Sequence, residues 1–87
     1  MSNKLAIKYA RVLRQYVDKF DSLRSFSNKH DVTYYNFMVD DTHVNLIIDC
    51  VKNNILLYDD KSNFYFIHNE RDLRTLLYMV YRLERAE

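Results

Sequence analysis

The first part of the chain carries hydrophobic residues at helical spacing. Between Asn3 and Phe26 they form one broad stripe: Leu5, Ala6, Tyr9, Ala10, Val12, Leu13, Tyr16, Val17, Phe20 and Leu23. This period predicts an amphipathic α-helix, since positions three and four apart share one helix face. Arg24 falls on the apolar side, so we expect fraying there and a connecting loop from Ser25 to Asp31.

The middle of the chain has the shorter period of β-strands. Residues 32–39 (VTYYNFMV), 43–51 (HVNLIIDCV), 55–58 (ILLY) and 64–68 (FYFIH) are rich in β-branched and aromatic residues. In the second segment two faces alternate, one with Val44, Leu46, Ile48 and Cys50 and the other with His43, Asn45, Ile47, Asp49 and Val51. The pattern predicts an antiparallel meander of three or four strands with one face covered by helices.

The last element is a second amphipathic helix, expected from Glu70 to Arg85. Asn69 is a good N-cap, and acidic residues occupy the first turn, where the helix dipole favours negative charge. Its buried stripe consists of Leu73, Leu76, Leu77, Val80 and Leu83. The order α-β-β-β(-β)-α predicts an α+β two-layer sandwich, with the meander flanked by an N-terminal and a C-terminal helix, as a single domain over residues 1–87.

The chain contains neither glycine nor proline, and this absence narrows the possible chemistry. P-loops, Rossmann fingerprints, EF-hand loops and nucleophile elbows all need Gly at fixed positions, so none of them is expected. Turns must depend on Asn and Asp, which tolerate the left-handed conformation and hydrogen-bond to nearby backbone. We therefore expect a tight turn at Asn53-Asn54 and a longer one at residues 59–63 (DDKSN).

Few residues suggest catalysis or metal binding. His30, His43 and His68 lack the spacing of a zinc site, which needs three or four convergent ligands. Asp49 with residues 59–61 (DDK) loosely imitates the carboxylates and lysine of metal-dependent nucleases. That chemistry needs the lysine on a rigid strand, however, whereas here it falls in a predicted turn. We expect a protein that is not an enzyme and that has no catalytic, metal or cofactor-binding residues.

Cellular location is suggested by the single cysteine, Cys50, which cannot form an intramolecular disulfide and suits a reducing compartment. It shares a face with core residues, so we interpret it as an inert small side chain. Residues 1–3 lead directly into the first helix without the apolar core of a signal peptide, and no apolar run approaches the roughly 20 residues that span a bilayer. We expect a cytoplasmic protein without a membrane partner.

Charge is distributed unevenly, although the net charge is only +1. Residues 1–30 contain seven Lys and Arg against two Asp, whereas residues 31–68 contain two Lys against six Asp. The first helix therefore has a basic face, formed by Lys4, Lys8, Arg11, Arg14 and Lys19. Such a face suits a phosphate backbone or an acidic protein partner, although a solvated surface is the commoner meaning.

The second helix offers a different surface opposite its leucines, formed by Arg71, Arg74, Tyr78, Arg82 and Arg85. Arg and Tyr dominate protein-interface energetics because they combine contact area with directional hydrogen bonds. Self-association through helix faces is a third possibility, since part of the first helix follows a heptad spacing: Ala6, Tyr9, Leu13, Tyr16, Phe20 and Leu23.

Together these features favour a small non-enzymatic protein-binding module that occupies a surface of a larger macromolecule. Its size and glycine-free, Asn- and Tyr-rich composition are similar in a general way to small inhibitors of phages and other mobile elements, which act against host enzymes or defence systems. The partner implied is a host protein. The alternatives are a nucleic-acid-binding regulator that uses the basic helix face and a structural homodimer.

Overall fold

Two helices and a five-stranded antiparallel sheet form residues 4–86, the part of the chain that the structure, a computed structural model, describes. In chain order the elements are α1 (Lys4–Arg14), β1 (Asp21–Phe26), β2 (Asp31–Val39), β3 (Thr42–Asp49), β4 (Asn54–Asp59), β5 (Phe64–Phe66) and α2 (Glu70–Met79). Each strand pairs with the next one along the chain, so the sheet order is β1-β2-β3-β4-β5. The predicted α+β architecture, a meander flanked by two helices, is confirmed.

The hydrophobic core lies between the helices and one face of the sheet, which we call the inner face. Val44, Leu46, Ile48 and Leu57 supply its centre and are fully buried. The alternation predicted for β3 is therefore confirmed. Tyr35 connects the two layers, because its hydroxyl donates a 3.1 Å hydrogen bond to the carbonyl oxygen of Ala6 in α1.

The first helix is shorter than predicted, and the sheet has one strand more than expected. The expected start at Asn3 lies outside the described residues, and α1 ends at Arg14 rather than near Phe26. Residues 21–26 instead form β1 and pair with β2. Asp18, Asp21 and Ser22 compete with helical hydrogen bonding. The strand also lets Arg24 bind the buried Asp31 carboxylate through two hydrogen bonds of 2.8 and 3.0 Å.

This difference changes the heptad stripe of α1. Ala6, Tyr9 and Leu13 are buried in the protein's own core. Phe20 packs partly against that core from the connection after the helix, and Leu23 lies on β1. The stripe is therefore not a continuous helical seam.

The second helix begins as predicted and ends early. The Asn69 side chain accepts a 2.9 Å hydrogen bond from the Asp72 amide, which confirms the N-cap. The helix stops at Met79 instead of Arg85, and its last turn widens, with the Tyr81 amide donating to the Leu76 carbonyl. The predicted stripe is confirmed, since Leu73 and Leu77 are buried and the other three members pack against the core: Leu76, Val80 and Leu83.

Turns without glycine use residues with positive φ: Asp40 (54°), Asn53 (57°), Ser62 (70°) and Arg82 (59°). The prediction of a tight turn on Asn53-Asn54 is wrong, because Asp49 pairs with Asn54 and leaves a four-residue loop. Asn53 alone takes the left-handed conformation there, and the Asp49 carboxylate accepts hydrogen bonds from the Val51 and Lys52 amides. A two-residue turn lies instead at Asp40-Asp41, between β2 and β3.

Candidate functional site

The face of the sheet away from the helices, which we call the outer face, carries a row of apolar and aromatic side chains. The cross-strand register places one such residue on every strand, in the order Leu23, Tyr34, Ile47, Leu56 and Phe66. Neighbouring strands lie about 4.8 Å apart, so the row extends about 19 Å across the sheet. Leu23 and Phe66 at its ends are each 64% exposed. Residues 4–86 place both helices on the inner face and leave this row uncovered.

Polar residues flank the row, but the described strands place no Lys or Arg on the outer face. One neighbouring line contains Asp21, Asn36, Asn45, Tyr58 and Phe64, and the other contains Ser25, Val32, Asp49 and Asn54. The charged groups of these lines are therefore carboxylates. An apolar centre with an acidic and amide border is the result.

The β5 end of the row continues into a groove against α2. Phe64 and Phe66 form an edge-to-face pair with ring centroids 5.4 Å apart. Together with Arg71, Thr75 and Leu76 they line an open groove of about 610 Å³. The groove brings one residue of the predicted α2 surface, Arg71, next to the outer face.

The rest of the predicted α2 surface is only partly brought together. Arg71 and Tyr78 are exposed on α2, and Arg74 is half-buried. Arg82 and Arg85 lie in the segment after the helix, where positive φ at Arg82 redirects the chain. The five residues therefore do not share one helix face. Three of them remain on α2, and of these three Arg71 lines the groove.

The predicted basic face is also divided. Lys4, Lys8 and Arg11 are exposed on α1 at spacings of four and three. The Lys8 ammonium lies 3.5 Å from the Glu70 carboxylate on α2. Arg14 places its guanidinium carbon 5.5 Å from the centre of the Phe20 ring, and Lys19 lies beyond the helix. The helix therefore presents a four-residue cationic stripe, in which Arg14 also contacts Phe20, rather than a five-residue face.

The acidic turn at residues 59–63 has a structural role. The Asp59 carboxylate, which is 7% exposed, accepts hydrogen bonds from the Lys61 and Asn63 amides and from the Asn63 side chain. The Tyr81 hydroxyl donates a further hydrogen bond of 2.6 Å from the segment after α2. Burial by itself would raise the pKa of Asp59, but these donors outweigh burial and lower the pKa to about 2. The carboxylate thus fixes the β4–β5 turn to the C-terminal segment.

The lysine of the nuclease-like pattern binds elsewhere. Lys61 donates a 2.9 Å hydrogen bond to the Asp41 carboxylate in the β2–β3 turn, and this contact lowers the pKa of Asp41. Both groups are solvent-exposed, so the ion pair contributes little stability.

Metal ligands and nucleophiles do not converge in residues 4–86, where no three His, Cys, Asp or Glu side chains could hold one ion. Burial raises the pKa of the half-buried Cys50 thiol, which disfavours the reactive thiolate. His30, His43 and His68 are all exposed.

The outer face is the feature that the sequence patterns did not identify. The sequence signal for this face is that apolar residues occupy neighbouring positions in a strand. Neighbouring side chains of a strand point to opposite faces of the sheet, so such residues place apolar groups on both faces. Leu56 stands beside Leu57, and Phe64 and Phe66 flank Tyr65. In a sheet with one solvated face, Leu56 and the two Phe positions would be polar.

No protein-family model matches the chain, and neither a curated protein nor a solved structure shows significant similarity to it. Among the described residues, no helix is both long enough and apolar enough to span a membrane.

Proposed function

We propose that this protein is a non-enzymatic protein-binding module that acts by covering a surface of a larger protein with its outer face. The observation that carries the proposal is the apolar row from Leu23 to Phe66, which crosses all five strands and is uncovered by the described chain. Its ends, Leu23 and Phe66, are exposed and its three middle residues are half-buried, and a contiguous apolar surface that reaches solvent is typical of interaction sites. Its removal from water would drive association.

The charges of the outer face favour a protein over a nucleic acid. Binding to a phosphate backbone requires Lys or Arg at the contact surface. The described strands place carboxylates such as Asp21 and Asp49 there and no cations. The partner that fits is an apolar protein surface bordered by basic residues. The cationic stripe of α1 supports the alternative of nucleic-acid binding, but Lys8 is partly neutralised by Glu70.

The residues of α2 would then form the border of the interface. Arg71 lines the groove that begins at Phe66, and Tyr78 stands further along the same helix. Exposed Arg and Tyr at a border add directional hydrogen bonds around an apolar centre. The general similarity of composition to small inhibitors of phages and mobile elements supports a role as an inhibitor or modulator of a host protein.

Affinity capture with three matched variants tests the proposal. The face variant Ile47→Thr/Leu56→Thr places β-branched residues in both strands and removes two of the five apolar side chains of the row. The border variant Arg74→Ala/Tyr78→Ala on α2 and the control variant Lys8→Ala/Arg11→Ala on α1 leave the outer face intact. We expect a protein partner of the wild type to be lost with the face variant and kept by the α1 variant.

Two results would contradict the proposal. Retention of the partner by the folded face variant would show that another surface binds it. Capture of nucleic acid alone, with affinity that falls steeply with salt and is lost in the α1 variant, would replace protein binding by the nucleic-acid function. Circular dichroism of each variant checks that the fold is kept.

A further inference from the structure

The strand β1 is stabilised unusually weakly by the rest of the molecule. All six of its residues are exposed, and in the described chain it pairs with β2 alone. Its inner side carries Ser22, Arg24 and Phe26, and Phe26 is 67% exposed. A six-residue edge strand that buries no side chain is a template for pairing with another strand.

The hydrogen bonds of β2 show which backbone groups of β1 are free for pairing. Ser27 and His30 exchange both of their backbone hydrogen bonds at the end of this hairpin. Hydrogen-bonded and non-hydrogen-bonded pairs alternate along an antiparallel ladder. With the register of β1 and β2, Ser22, Arg24 and Phe26 therefore direct their amide and carbonyl groups away from β2, toward the open edge.

We propose that β1 pairs in antiparallel fashion with β1 of a second copy of this chain, which joins two five-stranded sheets into one of ten strands. Leu23 then faces Leu23 of the second copy, and Ser22 faces Arg24 in both directions. The two Ser22–Arg24 pairs exchange four backbone hydrogen bonds. The twofold axis closes the assembly as a dimer, since each copy uses the same edge.

The charge of Arg24 selects this register. The next register that keeps these backbone groups paired, a shift by two residues, would place Arg24 opposite Arg24 of the second copy, and like charges directly opposite each other are destabilising. In the proposed register each Arg24 faces a neutral serine and keeps its two hydrogen bonds to Asp31. Leu23, 64% exposed in the single chain, gains an apolar neighbour. The two apolar rows meet at Leu23 and become one continuous row.

The opposite edge of the sheet is less suited to such pairing. The strand β5 has three residues, and only Phe64 and Phe66 direct backbone groups outward, as the Asp59–Asn63 and Ile55–Ile67 hydrogen bonds show. By contrast, β1 has twice the length and neither proline nor a bulge, and its one inward-pointing charge, Arg24, is held by the Asp31 carboxylate. The inference does not depend on the proposed function of the outer face.

Edge pairing of six-residue strands buries less area than the roughly 1,200 Å² of a stable complex, so we expect a weak dimer. Sedimentation equilibrium of the full chain between about 5 and 500 µM should show a monomer–dimer equilibrium with a dissociation constant above about 10 µM. A monomer at every concentration overturns the inference, and so does an open-ended series of oligomers.

A proline substitution tests the edge directly. The Ser22 amide is not used by β2, so Ser22→Pro removes only an outward donor, and proline is tolerated on such an edge. Two of the four proposed hydrogen bonds disappear, so we expect dimerisation to weaken by at least about tenfold. Ser22→Ala keeps the amide and should change the dissociation constant by less than about twofold. Equal dimerisation of both variants overturns the inference.

Cross-linking tests the register and does not require the proline variant to fold. In a Cys50→Ser background, Leu23→Cys places two thiols at a non-hydrogen-bonded pair, where side chains are closest. We expect it to form a disulfide-linked dimer on mild oxidation. Ser25→Cys in the same background would face Asp21 of the second copy and should remain reduced. Equal cross-linking of the two variants, or none by Leu23→Cys, contradicts the proposed pairing.

Discussion

The hydrogen bond from Tyr81 to Asp59 predicts how stability changes in acid. The pKa of Asp59 is lowered from 3.8 to about 2 in the folded protein. Between these pH values the unfolded chain binds the proton that the folded chain does not, so the free energy of unfolding falls as the pH is lowered. The stabilisation is complete above about pH 5 and is lost as the pH falls toward 2. A change of nearly two pKa units corresponds to about 2 kcal/mol.

Two substitutions separate the charge from the hydrogen bond. Asp59→Asn removes the titrating group, so the stability advantage of the wild type should shrink by about 2 kcal/mol between pH 6 and pH 2. Tyr81→Phe removes one donor to a buried charged acceptor and should cost about 1.5–3 kcal/mol at pH 6. It should cost less at pH 2, where the wild-type carboxylate is partly protonated. Tyr78→Phe, an exposed tyrosine on α2, is the matched control and should change stability by less than about 0.5 kcal/mol.

Urea denaturation followed by circular dichroism at several pH values between 2 and 6.5 gives the required free energies. Parallel pH profiles for wild type and Asp59→Asn would refute the lowered pKa. An equal cost of Tyr81→Phe at both ends of the range would show that the hydroxyl does not stabilise the charged form. Either result would leave the β4–β5 turn without the ionic role described for Asp59.

Three further predictions concern stability and use the same denaturation assay. Leu57→Ala, at a fully buried position, should cost about 2–5 kcal/mol, whereas Leu56→Ala, at a half-buried position on the outer face, should cost about 1–2 kcal/mol; equal costs would contradict the assignment of the two faces. Arg24→Gln should cost about 1–3 kcal/mol because it weakens the contact to the buried Asp31 carboxylate, and a neutral result would show that other contacts satisfy this carboxylate. Ser62→Gly should stabilise the fold by up to about 1 kcal/mol, because Ser62 has a φ of 70° and glycine adopts this left-handed conformation without strain. The control Ser22→Gly, in the extended strand β1, should destabilise the fold. Destabilisation by both substitutions would show that the left-handed conformation of Ser62 carries no strain.

The helix boundaries show why local patterns were informative only in part. The N-cap at Asn69 was predictable because capping depends on a side chain and an amide three residues apart. The end of α1 at Arg14 was not, since the apolar spacing continues through Phe20 and Leu23. Distant contacts stabilise residues 21–26 as a strand instead of a continuation of the helix. These contacts are the pairing of β1 with β2 and the bond from Arg24 to Asp31. The position at which α2 ends likewise depends on a distant contact, the hydrogen bond from Tyr81 to Asp59.

The candidate interaction surface depended even more on distant contacts. The sequence shows Leu56, Phe64 and Phe66 as apolar residues at strand positions that would be polar if one face of the sheet were solvated. The sequence does not show that Leu56 and Phe66 align with Leu23, Tyr34 and Ile47, because alignment depends on strand register. Likewise, Arg82 and Arg85 have helical spacing from Arg71 but leave α2 when the chain turns at Arg82.

The sequence by itself therefore determined the α+β class, the alternation of β3, the capped start of α2 and the use of Asn and Asp in place of glycine. These properties follow from interactions between residues close in the chain. Tertiary structure alone decided that residues 21–26 are a strand, that the outer face carries an apolar row and that Asp59 binds Tyr81. Each of these depends on free energy gained between segments that are far apart in the chain, which local periodicity does not record.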